Sequence, residues 1–390
     1  MLKCTYSISA NLSRALCIGR TVFWHTDPAP EIYYVGSGAP AHYHARGKHS
    51  FKDDQHRYEA RMNDHVANRY QTVEGGYLNS GTFSCVYKAW DYKTKTHVAL
   101  KIIRNIASMH TEAVQEFNML KIVHGNPNFI QMHDFFCFRA HHCFTFDLME
   151  CDLSTALRAS EGFGIIRIRN CAKHIACAIS FLHQKRIIHA DLKPQNIMIL
   201  GDRKTSDSVI VADLGSMMPV QDTKHYDIIT TIYYRDPAIV LGLNYGLPCD
   251  VWSFGCILAE LLISRRNCFY PLFRGFDEPD QIKLIQAVLG VPKPEWSLKG
   301  KRWKYYFTEE GTPLSTTLTQ HGRLGGTKLR RADPGSVSMA SAIGLHSDLN
   351  QRKAAPKSNQ LLDLINACLT WIPEERITIH QAILHPFLLS

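Results

Sequence analysis

The sequence predicts an α+β protein of two lobes. Three observations carry that expectation. Residues 70–147 read as strands, with 83–87 and 97–103 the clearest alternating runs, broken by one helical stretch over 111–123. After Asp147 the apolar period becomes helical, first over 171–183 and then over 250–263. Between those helices lies one polar loop, Ile187-Ile188-His189-Ala190-Asp191-Leu192-Lys193-Pro194-Gln195-Asn196, around which the chain is organised. Strands early and helices late argue for segregated layers, not for alternating βα units.

The remaining stretches follow in order. Residues 1–30 carry no pattern. The first 26 lack acids and hold Lys3, Arg14 and Arg20, a weak likeness to a transit peptide, and a disordered tail is the better expectation. Glu31-Ile32-Tyr33-Tyr34-Val35 suits a strand, and residues 31–69 form a region ahead of the first lobe, 70–149. In the helix over 111–123, Val114, Phe117, Leu120, Ile122 and Val123 supply the apolar face. The second lobe, 150–390, closes with helices over 361–371 and 378–384. Inside it, about 296–357 is polar and rich in Gly, Ser and Thr, which marks a long insert.

Composition narrows the function. With 390 residues, 45% apolar and 20% charged, the chain is globular and can bury a sizeable core. Seven of its nine net positive charges fall between Leu298 and Lys357, where 11 basic residues meet 4 acidic ones. Such a run reads as a solvated surface that could also recruit acidic partners, and no nucleic acid is expected. The twelve cysteines show no paired spacing and no secretory signal is evident, so they read as reduced thiols of an intracellular protein, in cytoplasm, nucleus or both. Cys137, His141, His142 and Cys143 have the chemistry of a zinc set, yet they fall in a strand–turn–strand stretch, where buried Cys and turn His are the better account. No membrane span is expected, because Glu260 interrupts the best apolar run, 254–263.

The polar loop carries the chemistry. Asp191, Lys193 and Asn196 stand at offsets of two and three residues. Phosphoryl transfer needs a carboxylate to accept or orient the attacking hydroxyl, a cation to neutralise the moving group and an oxygen ligand for a metal. The pattern is the protein-kinase catalytic loop H-x-D-L-K-P-x-N, with Ala190 where the commonest version has Arg. Val98-Ala99-Leu100-Lys101 matches the strand motif V-A-I-K, whose Lys holds the α- and β-phosphates of a nucleotide, and Glu116 is its natural ion-pair partner. A solvent-facing Lys and an unrelated Glu are the plain alternative. In Leu78-Asn79-Ser80-Gly81-Thr82-Phe83-Ser84-Cys85-Val86 only the middle glycine of G-x-G-x-x-G survives, and an ordinary hairpin explains it about as well. Val209-Ile210-Val211-Ala212-Asp213-Leu214-Gly215 is an apolar strand ending in a variant of the D-F-G metal motif. Downstream, Tyr234-Arg235-Asp236-Pro237-Ala238 takes the place of A-P-E, Asp250-Val251-Trp252-Ser253-Phe254-Gly255 opens the buried helix behind the loop, and Arg376 comes near the end.

With these residues the chain resembles a eukaryotic protein kinase over residues 70–387. It looks most like the dual-specificity tyrosine-regulated kinases, of the group that also holds the cyclin-dependent and mitogen-activated kinases. Asp64-His65-Val66-Ala67-Asn68-Arg69-Tyr70, His141-His142-Cys143-Phe144-Thr145-Phe146-Asp147, Tyr270-Pro271-Leu272-Phe273-Arg274-Gly275, Asp280-Gln281-Ile282 and Lys301-Arg302-Trp303-Lys304-Tyr305-Tyr306-Phe307 carry that likeness. Residues 31–36 and 51–54 look like the accessory region of the family's second class, which is implied to assist autophosphorylation.

The resemblance implies a bilobal fold, with a small antiparallel sheet and one main helix in the N-lobe and a large, mainly helical C-lobe. It implies ATP and Mg2+ as cofactors, protein Ser or Thr (and by autophosphorylation Tyr) as acceptor, and a monomer. Catalysis would fall to Asp191, Lys193 and Asn196, and metal binding to Asn196 and Asp213. The nucleotide would meet Leu78, Asn79, Gly81, Val86, Ala99, Lys101, Glu116, Phe146, Met149, Met198 and Asp213. A small-molecule phosphotransferase fits less well, because the long activation segment suits a protein substrate.

Several departures favour the alternative of a pseudokinase scaffold that keeps fold and partner binding. The outer glycines are replaced, and Ala238 stands where A-P-E has the Glu that pairs with Arg376. Asp236 is the nearest acid that could take over. The activation segment reads His225-Tyr226-Asp227-Ile228, with Thr231 and Ile232 following, where the family has Y-x-Y and an Arg that receives the second phosphotyrosine. Ile228 and Ile232 are expected to hold the segment by packing, and loss of that Arg puts strict preference for proline after the target in doubt.

Overall fold

The computed structural model describes residues 15–18, 21–24, 58, 60–81, 83–225, 229–265, 268–314, 332–345 and 355–389. The chain divides into two compact units, residues 1–126 with 130–148, and residues 127–129 with 149–390.

The first unit is a sheet with one helix. Its strands are β1 (Ala15–Ile18), β2 (Thr21–Trp24), β3 (His65–Val66), β4 (Tyr70–Ser80), β5 (Ser84–Asp91), β6 (Thr96–Ile103), then after helix α1 (Ala107–Val123) β7 (Met132–Phe138) and β8 (His141–Asp147). They pair antiparallel in the order β1-β2-β7-β8-β6-β5-β4-β3. One face closes over Val66, Tyr70, Tyr87, Leu100 and Phe136, with Tyr70 stacked on Phe136 at 5.5 Å between ring centroids. The long strand β4 shifts register between Thr72 and Tyr77. Gly75 there has φ 63, and a Cβ on Gly76 would lie 2.6 Å from the Val73 carbonyl oxygen, so the irregularity requires both glycines.

Two sequence expectations change in this unit. A disordered tail over 1–30 fails at β1 and β2, which pair with each other and, through Thr21↔Phe138 to Phe23↔Phe136, with β7. The free edge of β7 offers a backbone ladder, and Thr21-Val22-Phe23-Trp24 is rich in strand formers. The strand expected at 31–35 and the accessory string at 51–54 lie outside the described residues. Helix α1 begins at Ala107, four residues before the expected Thr111, with no side-chain cap to mark its start. Its buried face runs through Ala113, Glu116, Phe117, Leu120 and Val123, whereas Val114 is half-buried and Ile122 exposed.

The second unit is mainly helical. In order it holds α2 (Leu153–Ala159), α3 (Ile165–Gln184), β9 (Ile187–Ile188), β10 (Ile197–Ile199), β11 (Val209–Val211), β12 (Met218–Pro219), α4 (Pro237–Val240), α5 (Pro248–Ser264), α6 (Glu278–Leu289), α7 (Pro294–Ser297), α8 (Met339–Ala342), α9 (Ala355–Cys368), α10 (Ile379–Ile383) and α11 (Pro386–Leu389). Helix α5 is buried from Cys249 through Ser264, as its all-round apolar sequence requires. A Cβ on Gly255 would lie 2.7 Å from Cβ of Cys368, so glycine lets α5 and α9 approach closely. Two-stranded ladders β10-β11 and β12-β9 flank the polar loop. The expected polar insert is only partly described, and its described parts do bury Tyr306, Phe307, Met339, Ile343 and Leu345.

Arg376 is buried at the foot of α5, its guanidinium 5.2 Å over the Trp252 ring. Asp236 replaces the missing Glu: Arg376 NH1 donates to Asp236 Oδ2 at 2.5 Å and to the Pro248 carbonyl at 2.6 Å, and NH2 donates to the Thr370 carbonyl at 2.9 Å. The same carboxylate accepts the Ala238 N–H at 2.8 Å and so caps α4. Moving the acid two residues upstream keeps the ion pair.

Two outcomes are expected. Asp236→Ala should lose roughly 3–5 kcal/mol in urea unfolding, because a buried guanidinium is left unpaired. Ala238→Glu should lower the melting temperature, since Ala238 is fully buried and Arg376 already has its acid. His142 stacks on Phe135 at 5.5 Å and lies 4.9 Å from the His110 ring, and burial first, then His110 and His141, push its pKa down to about 4. A depressed histidine contributes stability that is present above the usual 6.5 and is lost as pH falls from there towards 4. His142→Phe should therefore flatten the fall in urea midpoint between pH 7 and 4.5 by the equivalent of roughly 2–3 kcal/mol.

Candidate active site

The polar loop is fixed from below. Asp250, in the first turn of α5 and 1% exposed, accepts the N–H groups of His189 at 2.8 Å and Ala190 at 3.1 Å, and His183 Nε2 lies 3.1 Å from it. These bonds hold Ala190 at φ 65, a left-handed conformation costly for a side chain with a Cβ. Ala190 is wholly buried in an apolar cluster with Ile188, Met218, Ile239 and Cys249. An arginine at that position would bury its charge.

Past this bend three expected residues converge. Lys193 Nζ donates to Asp191 Oδ2 at 2.6 Å and Asn196 Nδ2 to the same oxygen at 3.1 Å. Thr231 completes the set, its N–H and hydroxyl reaching Asp191 Oδ1 at 3.1 and 2.9 Å, while Lys193 Nζ also reaches Thr231 Oγ1 at 3.1 Å. The carboxylate is thereby oriented by a cation, an amide, a hydroxyl and a backbone N–H. The register Ile197↔Val211 and the bond from Ala212 N–H to the Asn196 carbonyl, 2.8 Å, bring Asn196 to the end of β11 beside Asp213. Asp213 is exposed, with φ 54 and ψ 73, and buried Leu214 follows it in the place of Phe. Asn196 Nδ2 is used by Asp191. Its Oδ1 is an oxygen donor of the kind a hard divalent cation takes, as is the Asp213 carboxylate. The donor set fits such an ion.

In the first unit, Lys101 Nζ pairs with Glu116 Oε1 at 2.7 Å, both largely buried, which excludes the solvent-facing alternative. The pair follows from β6, where Lys101 alternates with buried Leu100 and Ile102, and from the buried face of α1. Ala99 pairs across with Phe146 of β8. Leu78, Asn79, Gly81 and Val86 lie on the β4–β5 hairpin, with Asn79↔Val86 paired, Leu78 46% exposed and a turn bond from Gly81 N–H to the Ser84 carbonyl of 2.9 Å. Met149 and Met198 belong to the second unit, Met198 facing Ile210 across β10-β11.

Sequence reasoning missed a second network. Arg235 Nε donates to the Ile229 carbonyl at 2.9 Å and NH2 to the Thr230 carbonyl at 2.8 Å, while NH1 pairs with Glu278 Oε1 at 2.7 Å. Burial lowers the pKa of Arg235 and raises that of Tyr306, and Glu278 beside them opposes the first effect and adds to the second. Thr230 has φ 68, which is strained for a β-branched residue. The packing expected of Ile228 and Ile232 is described only in part. Ile228 and Tyr226 lie outside the described residues, Ile232 is half-buried, and Ile229 with Val220, Tyr245 and Leu247 is what packs on the cluster around Ala190.

Comparisons with known proteins agree with this geometry. Residues 73–388 match the protein kinase domain family. Dual specificity tyrosine-phosphorylation-regulated kinase 3 from Macaca fascicularis is 34% identical over 377 residues, covering 92% of this chain and 63% of its own length. Kinase 2 of the same name from Drosophila melanogaster is 35% identical over 371 residues, covering 92% and 47%, and the mbk-2 kinase from Caenorhabditis elegans is 33% identical, covering 92% and 44%. This chain thus spans about half to two-thirds of the length of these relatives. A crystal structure of a kinase domain superposes with a TM-score of 0.70 at 20% identity, covering 86% of this chain and all of the other, which supports the fold. With its catalytic-loop carboxylate, its strand lysine paired to a helix glutamate and the match over residues 73–388, the chain belongs to the protein kinase domain family, and it is similar to dual specificity tyrosine-phosphorylation-regulated kinases.

Proposed function

We propose that the chain transfers the γ-phosphoryl group of Mg-ATP to serine or threonine hydroxyls of proteins, and to tyrosine in autophosphorylation. The observation that carries this reading is Asp191, whose two carboxylate oxygens are held by Lys193, Asn196 and Thr231 within 3.1 Å. Bound Mg-ATP would supply the phosphoryl group and the metal charge that offsets its oxygens. Asp191 orients the acceptor hydroxyl and takes its proton as the new O–P bond forms and the bond from the γ-phosphorus to the β,γ-bridging oxygen breaks, leaving ADP, while Lys193 Nζ, already beside Asp191, adds positive charge where the transferring group passes. Lys101, fixed by Glu116, would serve the α- and β-phosphates, and Asn196 Oδ1 with Asp213 would hold the magnesium. The scaffold alternative loses one of its two supports, because Asp236 makes good the carboxylate missing at Ala238.

The substrate reading extends to the residue after the acceptor. Next to Thr231, the carbonyls of Ile229 and Thr230 both accept from Arg235, which leaves each oxygen one lone pair and makes it a poorer acceptor for an N–H from a peptide bound there. Proline has no N–H to leave unsatisfied, and a peptide with proline after its Ser or Thr is favoured. An intracellular enzyme fits the buried free thiols Cys85, Cys143, Cys171, Cys249, Cys256 and Cys368.

Asp191→Asn and Lys101→Met should each lower phosphotransfer on the order of 100-fold or more while the melting curve stays close to that of the wild type. Near wild-type transfer by either variant would refute its assigned role.

A further inference from the structure

The strand register gives a departure from the glycine pattern a position on the sheet. Asn79 stands directly opposite Val86, and Val86 directly opposite Lys101. Residues opposite one another on neighbouring antiparallel strands carry their side chains on the same face. That face is not the one closed by the apolar cluster. Cys85, Tyr87, Leu100 and Ile102, which alternate with Val86 and Lys101, are the residues buried there. The face of Asn79 is the one on which Lys101 meets Glu116 of α1, and on it Asn79 is exposed. A carboxamide thus replaces the first glycine two strand spacings, about 10 Å, from the lysine backbone.

The backbone at the tip of the loop is already engaged. The ladder runs on from Asn79 to the pair Ser80↔Cys85, and the N–H of Gly81, the one glycine left, donates to the Ser84 carbonyl at 2.9 Å. A glycine-rich loop works by letting bare N–H groups approach the oxygens of a ligand. Asn79 instead carries two N–H donors on a side chain.

We infer that Asn79 binds the nucleotide through its side chain: the carboxamide donates to a ribose or phosphate oxygen, in place of a contact that glycine leaves to the backbone. The inference rests on the reading that Lys101 marks the nucleotide face. It makes the loss of the first glycine a change of donor and not a loss of binding, which bears on the remaining support of the scaffold alternative.

The test measures, by calorimetry on the full chain, the binding of magnesium-ATP, adenosine and magnesium-2′,3′-dideoxy-ATP to the wild type, Asn79→Ala and Asn79→Gly. Asn79 is exposed, so both variants should keep the melting curve of the wild type. Both should bind magnesium-ATP roughly threefold to tenfold more weakly, the worth of one hydrogen bond. A loss seen with both triphosphates and not with adenosine would support the inference and assign the donor to a phosphate. A loss seen with ATP and adenosine and not with the dideoxy analogue would support it and assign the donor to the ribose. Equal loss with all three ligands would overturn the inference. So would Asn79→Gly, which restores the glycine of the pattern, binding magnesium-ATP as tightly as the wild type or more so. A wild type that binds no ATP would overturn the reading of Lys101 and the inference with it.

Discussion

One buried carboxylate fixes the geometry on which the site depends. Asp250 is charged chemistry placed inside the most apolar helix of the chain, and burying it is costly unless its oxygens are filled. His183 and the N–H groups of His189 and Ala190 fill them. In return the chain is bent through Ala190 at φ 65, and only from that bend do Asp191, Lys193 and Asn196 meet. The functional loop thus takes its shape from the core, through two backbone bonds.

A similar logic runs through the activation segment. Thr230 is held in a strained conformation by polar contacts on both sides, Arg235 on its carbonyl and Asp191 on the next N–H. Beneath it, Ile229 and Val220 pack on the cluster that contains Ala190. Apolar contact and one guanidinium hold this part of the segment. Asp236 shows the same economy of means: one carboxylate caps α4 and neutralises Arg376.

How much of this was legible in the sequence depended on how local the cause was. Helices α3 and α5 and strand β6 announce themselves by apolar period, because burial alone decides them. The Lys101–Glu116 pair was readable because a motif fixes the strand lysine and a helix fixes the spacing. Asp236 was legible as the nearest spare acid to Arg376. Helix starts were misplaced where no capping side chain marks them, as at Ala107. Strands β1 and β2 were missed because their cause is the distant free edge of β7. The Glu278, Arg302 and Tyr306 network was illegible for the same reason, since nothing in a sequence says which surface-type charges will share a partner. Asp250 did leave a signal, a lone acid opening an apolar helix, whose meaning appears only once its hydrogen bonds are known.

The central claim is that the phosphotransfer chemistry of the site is in use, not only its fold. The most direct measurement is transfer of radiolabelled γ-phosphate to protein by the wild type and by Asp213→Asn, with melting curves taken alongside. Asp213 is exposed, so the variant should melt like the wild type while transfer falls on the order of 100-fold or more. Equal transfer by the two proteins, or none by a folded wild type supplied with Mg-ATP, would contradict the account.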